Sequence, residues 1–266
     1  MNFAVFESLP IIIIYVCVAF VMLISCEIGY QLGKRFRTVQ DKEAQSSVGP
    51  MVGGLLGMLA FVLAFTFSIA ASHHSSRKEN VLDEANVIGT AYLRSDLLEM
   101  KYQTKVKQLL REYVSIRLQY VIDIHEKGIS EVNVKAVLKR SVAIHYLLWD
   151  LVSEAAIKTP SFNTSLMIES INNVIEMHEK RVTAGLRNRI PESIWIAVLV
   201  ICILTMMTMG TQIGYAGKRR LVAVIPLSMA FSALLALAVD LNSPQKGLIV
   251  VGQQAMINLL SNISSE

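Results

Sequence analysis

The chain has 266 residues, of which 53% are hydrophobic and 17% are charged, and its formal net charge at pH 7 is +4. A mean hydropathy of +0.48 is too high for an ordinary soluble domain. The sequence has no basic stripe with interleaved aromatic residues, so we expect no nucleic-acid partner. All three cysteines lie in apolar segments, which argues against a disulfide framework.

Four apolar runs follow one another along the chain, at 10–29, 52–71, 194 to about 210, and 221–239. Each is close to the roughly 20 helical residues that cross about 30 Å of hydrocarbon. The first run lacks a preceding basic residue and a cleavage pattern, so we interpret it as a retained helix. The sequence therefore predicts an all-α integral membrane protein with four transmembrane helices, embedded in the lipid bilayer of the cell (inner) membrane.

Two short loops between these runs are basic. The first, 33–49, carries Lys34, Arg35, Arg37 and Lys42, and its end, Gly49-Pro50, is expected to start the second helix. The second, 214–220, ends in Lys218, Arg219 and Arg220. The positive-inside rule would place both loops in the cytoplasm and the long 72–190 segment outside. The flanks of that segment are also basic, so the charge pattern leaves its side open.

The second apolar run has no charged residue between Met51 and Ser72. After Gly57, it places Phe61, Phe65 and Ile69 at steps of four, which puts them on one stripe of a helix. Such a stripe most often faces lipid or packs against another helix. If several copies of this helix met around an axis, the same side chains would form a hydrophobic pore constriction.

The second helix is expected to continue beyond the membrane without interruption. Its continuation carries one polar face, made by Asp83, Asn86, Thr90 and Arg94, opposite Leu82, Ala85, Ile88 and Leu93. Gly89 would allow another helix to approach closely. This polar face is either simply solvated or a contact with another subunit or with the next helix.

Residues 72–190 show helical periodicity throughout and predict an extramembrane helical domain between the second and third spans. Apolar residues at intervals of three and four run from Tyr102 to Ile124, where Lys127-Gly128 ends the pattern, and again from Val134 to Ala155 before Pro160. The predicted organisation is 1–71 for the first two spans, 72–190 for the helical domain, 191–240 for the last two spans and 241–266 for a C-terminal tail.

Candidate catalytic and metal-binding residues are sparse. The five histidines, His73, His74, His125, His145 and His178, do not follow a ligand spacing, so we expect packing histidines, no metal and no cofactor. Glu27 and Asp240 lie near the ends of spans, where a charge is tolerated. No nucleotide-binding or nucleophile motif is present, and the sequence predicts that the protein is not an enzyme.

Several segments resemble a known family. The stretch FVLAFTFS, Phe61 to Ser68, is similar to the second-helix neck of bestrophin channels. More broadly, GLLGMLAFVLAFTFS, DEANVIGTAYLRSDLL, HEKRVTAGLRNRIPESIW and DLNSPQKGLIVV resemble the bestrophin-like membrane family DUF4239, in order along nearly the whole chain.

The resemblance implies a homo-oligomer, a pentamer in bestrophins, that conducts chloride or other small anions through a neck formed by Phe61 and Phe65. Gly57 stands where the neck usually carries a third bulky apolar residue, and the calcium-sensing acidic cluster of animal bestrophins has no counterpart here. The family places its large helical region in the cytoplasm. The alternative functions are a non-conducting membrane sensor or scaffold and, ranked last, a membrane enzyme using Asp83-Glu84 or His73-His74.

Overall fold

A computed structural model describes residues 10–36, 42–127, 131–217, 221–243 and 247–265, and all regular structure within these ranges is helical. The helices are α1 Ile11–Arg35, α2 Lys42–Arg94, α3 Met100–Lys127, α4 Glu131–Lys158, α5 Phe162–Val182, α6 Glu192–Ala216, α7 Leu221–Asn242 and α8 Gln254–Ser264. A 3-10 turn, Ser95–Leu97, follows α2, and a π-helical turn, Thr183–Arg187, follows α5.

Four helical segments of the described chain are long and apolar enough to cross a membrane. They contain α1, α2, α6 and α7, which confirms the four predicted spans and the all-α membrane fold. Helix α2 has 53 residues, so the apolar run 52–71 is only its middle part. The expectation that this helix continues well beyond the apolar run is confirmed.

The start of α2 differs from the prediction. The helix begins at Lys42, inside the predicted basic loop, and Pro50 lies within it rather than at its first turn. A proline removes one main-chain hydrogen bond, but its fixed φ suits a helix, and the many remaining bonds of a long helix tolerate the loss. Arg37, Lys218, Arg219 and Arg220 of the two basic loops lie outside the described residues.

The chain divides into two compact units. One, here called the membrane unit, comprises Met1–His74 and Arg189–Ile249, and the other, the helical unit, comprises Ser75–Asn188 and Val250–Glu266. The predicted tail 241–266 is therefore shared between them. Its last helix, α8, belongs to the helical unit, where Met256 and Ile263 are buried in the core.

In the membrane unit, α1 and α6 pack through glycines spaced four apart on both helices. A Cβ atom built on Gly29 would lie 2.0 Å from the carbonyl oxygen of Met207, and one on Gly210 would lie 2.0 Å from that of Cys26. Gly33 and Gly214 continue the same contact one turn further along. The absence of side chains at these four positions lets the two backbones touch, as is common between membrane helices.

In the helical unit, the apolar face of each helix meets a common core. Ile88 and Tyr92 of α2, Val106 and Tyr113 of α3, and Leu148 of α4 are all at most 2% exposed. Residues at intervals of three, four and seven supply this core, which is the periodicity that the sequence predicts for a helical bundle.

Candidate functional site

Phe61 and Phe65 protrude from α2 within the membrane unit. Their side chains are 70% and 62% exposed, which is unusual for large apolar residues outside a lipid-facing or subunit-facing surface. Their rings lie one turn apart, with centroids separated by 6.4 Å and planes inclined by 25°. The sequence prediction that these two residues share one helix face is therefore met by the geometry of the helix.

The surface around the two phenylalanines is mostly made of small residues. The exposed residues of 53–72, here called the exposed stripe of α2, are Gly53, Gly54, Gly57, Met58, Ala60, Phe61, Ala64, Phe65, Ser68 and Ser72. A Cβ atom added at Gly57 would meet nothing within 4 Å. The exposed face of α1 is different, because it is bulky and apolar: Ile12, Val16, Phe20, Ile24 and Ile28.

Ile69 does not share this exposure. It is partly buried and packs against the core of the membrane unit, as does Phe67. The helix turns by about 100° per residue, so three steps of four residues rotate Ile69 away from Gly57 by about 120°. The described chain therefore presents Phe61 and Phe65 as the large rings of the stripe, with Gly57 at one edge of them and the partly buried Ile69 at the other.

The second group of predicted site residues lies further along α2, in the helical unit. Asp83, Asn86 and Thr90 are exposed. Arg94 instead binds within the chain, since its Nη1 donates to the Leu166 carbonyl (3.2 Å) and the Ser170 hydroxyl (2.9 Å) of α5. A Cβ atom on Gly89 would lie 3.4 Å from Leu259 of α8. Contacts with other helices of the same chain thus account for Arg94 and Gly89, and a subunit contact stays a prediction.

The predicted apolar side of this segment is only half correct. Ala85 and Ile88 are buried, but Leu82 and Leu93 are 53% and 64% exposed. Three turns separate Leu82 from Leu93, and the helical period places both near Asn86 on the outward face. This face is therefore mixed, with polar residues and exposed leucines side by side.

A buried polar cluster occupies the interior of the helical unit. Glu84 is fully buried, and its carboxylate accepts a 2.6 Å hydrogen bond from the Tyr113 hydroxyl. The Nε atom of Arg117 lies 3.4 Å from the same oxygen, and Arg181 forms an ion pair with the other oxygen. Arg181 also donates to Gln253 at 2.5 Å, which ties α8 to the cluster.

Two buried histidines complete the buried polar cluster. The Tyr113 oxygen lies 3.0 Å from Nδ1 of His178. Because the Tyr113 proton is directed to Glu84, His178 must donate its Nδ1 proton to Tyr113. The ring of His145 stands edge-on to that of His178 at 4.8 Å, and its Nε2 atom has no hydrogen-bond partner among the described residues. The chain of donors therefore runs from His178 through Tyr113 to Glu84.

The charge states in the buried polar cluster follow from burial and neighbours. Burial alone would raise the pKa of Glu84, but Arg117 and Arg181, with hydrogen bonds from Tyr113 and Arg181, lower that pKa to about 2. Burial, reinforced by Arg117, lowers the pKa of His145 to about 4. Burial, Arg117 and His145 together lower the pKa of His178 to about 3. At neutral pH the cluster thus holds one anion, two cations and two neutral imidazoles.

Helical periodicity does not single out this cluster as a site, although one signal for it exists. Glu84 lies between Val81 and Ile88 on the buried face of α2, and Arg117 follows Tyr113 by one turn on α3. A charged residue inside an apolar stripe indicates a buried ion pair. Of the histidines predicted to pack, His145 and His178 lie in the interior. Among the described residues, no three His, Cys, Asp or Glu side chains converge on a point that could hold a metal ion.

Asp240, at the end of α7 in the membrane unit, is 4% exposed. Its two carboxylate oxygens accept hydrogen bonds from the backbone N–H groups of Leu248 and Ile249, each at 3.0 Å. Gly247 has a φ of 141°, and a Cβ atom there would lie 2.1 Å from the carboxylate. Asp240 therefore holds the segment that follows the last span through these hydrogen bonds. Its position near the end of a span does not reveal this role.

The family follows from comparison with known proteins. A family model described as the Bestrophin-like domain matches residues 19–256. The chain belongs to the bestrophin-like family. This confirms the resemblance seen in its sequence motifs. No curated protein matches this bestrophin-like chain.

Solved structures share its fold. A crystallised bacterial bestrophin homologue from Klebsiella pneumoniae, in a point-substituted form, is 16% identical with a TM-score of 0.65, over 96% of this chain and 99% of that chain. A crystallised membrane protein, also point-substituted, is 15% identical with a TM-score of 0.64, over 97% and 99% of the two chains. At these identities the likeness establishes the bestrophin fold of the chain.

Proposed function

We propose that this chain assembles into a homo-oligomeric ion channel, in which copies of α2 surround an axis and Phe61 and Phe65 form the hydrophobic neck. The observation that carries the proposal is the exposure of these two stacked rings, 70% and 62%, on an uncharged helix face. Membership of the bestrophin-like family supports the same function. The bestrophin resemblance favours a pentamer.

The composition of the exposed stripe of α2 favours a pore over a lipid-facing surface. Lipid-facing helices gain most from bulky apolar side chains, as on the exposed face of α1. The stripe instead offers glycine and alanine, which let neighbouring copies approach closely, and the hydroxyls of Ser68 and Ser72, which can face water. The two phenylalanines, with Met58 one turn before Phe61, are then the bulky residues of a face otherwise made of small side chains.

A ring of phenyl groups controls ions through hydration. An ion that enters such a neck must shed water, and apolar walls provide no oxygen to replace it. The barrier therefore depends on the width that the side chains leave. Gly57 lies one turn before Phe61 and adds no side chain, so the neck contains two turns of phenyl rings and then widens.

The family resemblance assigns chloride or another small anion as the conducted ion. Glu79 and Asp83 are exposed further along α2, and carboxylates that faced the permeation path would favour cations. Whether the protein conducts anions or cations is therefore measured separately from whether it conducts ions at all.

The test is ion flux in proteoliposomes that contain the purified protein. We expect Phe61→Ala combined with Phe65→Ala to raise chloride flux by about tenfold or more, the change produced by a barrier lower by roughly 1.4 kcal/mol. Potassium flux and the reversal potential in a salt gradient, measured on the same vesicles, establish which ion carries the current.

The matched control is Phe20→Ala, because Phe20 is 63% exposed on α1, outside the proposed neck. It should leave the flux unchanged. Equal fluxes in the wild type, the double variant and the control, with intact oligomer in each sample, would contradict the neck. A monodisperse monomer in detergent and in lipid would contradict the channel altogether.

A sensor or scaffold is the second candidate, and the continuity of α2 favours it. The helix supplies residues to both units without a break from Lys42 to Arg94. A rigid helix of this kind could transmit a displacement along its axis without any ion passing. Absence of flux from both the wild type and the double variant would favour this function over the channel.

A further inference from the structure

A polar hollow of about 430 Å³ lies in the helical unit, apart from the proposed neck and from the buried polar cluster. It is lined by Ser76 and Asn80 of α2 and, from α5 and the π-helical turn, by Glu179, Lys180, Thr183, Ala184 and Asn188. Six of these seven residues are polar. The polar side chains of such walls can form hydrogen bonds with a hydrophilic ligand.

A buried arginine, Arg77, is held against two of the residues that line the polar hollow. Arg77 is 5% exposed, and its Nε atom donates to the Ala184 carbonyl at 3.0 Å. Its Nη2 atom lies 3.4 Å from the Asn188 carbonyl. The backbone N–H of Asn188 in turn donates to the Thr183 carbonyl at 2.9 Å, which closes the π-helical turn. π-helical turns occur frequently at functional sites.

The side chains around the polar hollow carry both signs of charge. Lys180 and Glu179 are exposed, and they supply one ammonium and one carboxylate. Ser76, Thr183, Asn80 and Asn188 supply neutral hydrogen-bond donors. A phosphate group suits the ammonium and the neutral donors, and the carboxylate of Glu179 can accept hydrogen bonds from a cationic group beside that phosphate. The lining therefore matches a zwitterion.

The position of the polar hollow along the chain indicates where such a zwitterion is available. Ser76 follows Ala71, the last residue of the second apolar run, by five residues on the same helix, about 7.5 Å at the helical rise. Asn188 precedes Ile194, the first residue of the third apolar run, by six residues. The headgroup layer is roughly 5–8 Å thick on each side of the hydrocarbon. The lining side chains of the polar hollow and its position along the chain are therefore both suited to a headgroup at the membrane surface.

We propose that the polar hollow binds a phosphate ester that carries a primary amine, the phosphoethanolamine headgroup of a phospholipid or the same group free in solution. Lys180 and the hydroxyl and amide donors hold the phosphate, and Glu179 accepts hydrogen bonds from the ammonium. The positive charge of Arg77, which is held against Ala184 and Asn188, favours the phosphate electrostatically without direct contact.

Native mass spectrometry of the full-length oligomer in detergent tests this binding, with phosphatidylethanolamine, phosphatidylglycerol and phosphatidylcholine as the probes. We expect phosphatidylethanolamine to bind most tightly. Phosphatidylglycerol lacks the ammonium, and the trimethylated amine of phosphatidylcholine has no N–H to donate to Glu179. Lys180→Gln and Glu179→Gln should each weaken phosphatidylethanolamine binding by about tenfold, the effect of losing one charged hydrogen bond.

The matched controls are Lys158→Gln and Glu154→Gln, an exposed ion pair elsewhere in the helical unit (2.5 Å), and they should not change lipid binding. Soluble phosphoethanolamine distinguishes the two sources. If it binds as tightly as the lipid, the ligand is the free ester, and if it binds only weakly, the lipid chains contribute and the ligand is the lipid. Equal binding of the three lipids, or unchanged binding in both Lys180→Gln and Glu179→Gln, would overturn the proposal.

Discussion

Glu84 is the anion on which the interior of the helical unit depends. It faces two guanidinium groups, so the buried polar cluster carries a net positive charge even when both imidazoles are neutral. Adding a proton to His145 or His178 would put another cation next to Arg117 in a region from which water is excluded. Burial and this like charge together explain why the folded protein resists protonation of both rings.

This arrangement predicts that the helical unit loses stability in mild acid. The unfolded chain binds protons on both histidines below their ordinary pKa of 6.5, whereas the folded protein binds them only near pH 4 and pH 3. The stability is therefore fully present above pH 6.5 and falls as the pH drops below it, by up to about 1.4 kcal/mol per histidine for each pH unit. Glu84 adds a loss of the same sign below its ordinary pKa of 4.5.

Thermal unfolding of the purified protein between about pH 7.5 and pH 5 measures this effect. His145→Phe keeps a ring in the core and removes a buried nitrogen that has no hydrogen-bond partner in the described chain. We expect the variant to be at least as stable as the wild type at neutral pH and to lose about half as much stability on acidification. The same pH dependence in the variant and the wild type would show that His145 does not titrate on unfolding.

Among the helices, the contact between α1 and α6 depends most strictly on residue size. Each of its four glycines lies against a backbone atom of the opposite helix, so even a methyl group would collide with main chain rather than with a flexible side chain. The glycines of the exposed stripe of α2 are different. Gly53, Gly54 and Gly57 have nothing within 4 Å of an added Cβ atom.

Alanine substitutions at the two kinds of glycine should therefore differ in their effect. Gly210→Ala should lower stability by about 1–3 kcal/mol or more, because the helices must separate. Gly54→Ala meets no atom of its own chain and gains the higher helix propensity of alanine, up to about 1 kcal/mol over glycine, so it should cost less than Gly210→Ala even where neighbouring copies pack on the exposed stripe. Thermal unfolding of both variants in one detergent measures the difference. Equal melting temperatures would contradict direct backbone contact between α1 and α6.

Single helices were predictable from the sequence, whereas their partners were not. Apolar runs and periods of three and four reveal the spans and the bundle helices because these patterns are local. The contact of Gly29 with Met207 and the ion pair of Glu84 with Arg181 join residues far apart in sequence. Pairing of this kind depends on tertiary packing, which local periodicity does not encode. Counting in fours predicted that Phe61, Phe65 and Ile69 share a stripe, but it did not predict that Ile69 is partly buried against the core of the membrane unit while the two rings are exposed.

For the molecule as a whole, the structure links the C-terminal end to the bundle. Helix α8 buries Met256 and Ile263 in the same core as Tyr113. The Ile263 carbonyl accepts hydrogen bonds from Arg111 at 2.5 Å and from the Tyr92 hydroxyl at 3.2 Å. Helix α8 must therefore lie on the same side of the membrane as α3 and α4, which belong to the same helical unit.

This linkage and the four spans predict the membrane topology. Reporter fusions after residues 40 and 217 should report one side of the membrane, and fusions after residues 130 and 266 should report the other. Residues 40, 130 and 266 lie outside the described residues, but each is within two residues of a described helix. A single span, in α2, separates residue 40 from residue 130. These two residues must therefore lie on opposite sides of the membrane.

The same fusions decide which side the helical unit occupies. The basic residues of the two short loops would place residues 40 and 217 in the cytoplasm. The bestrophin resemblance would place residues 130 and 266 there instead. Each fusion is made with two reporters, one that is active only in the cytoplasm and one that is active only outside it. The two orientations predict opposite patterns of reporter activity. Residues 40 and 130 on the same side would contradict both orientations, because α2 could then not cross the membrane and its phenylalanines could not line a pore.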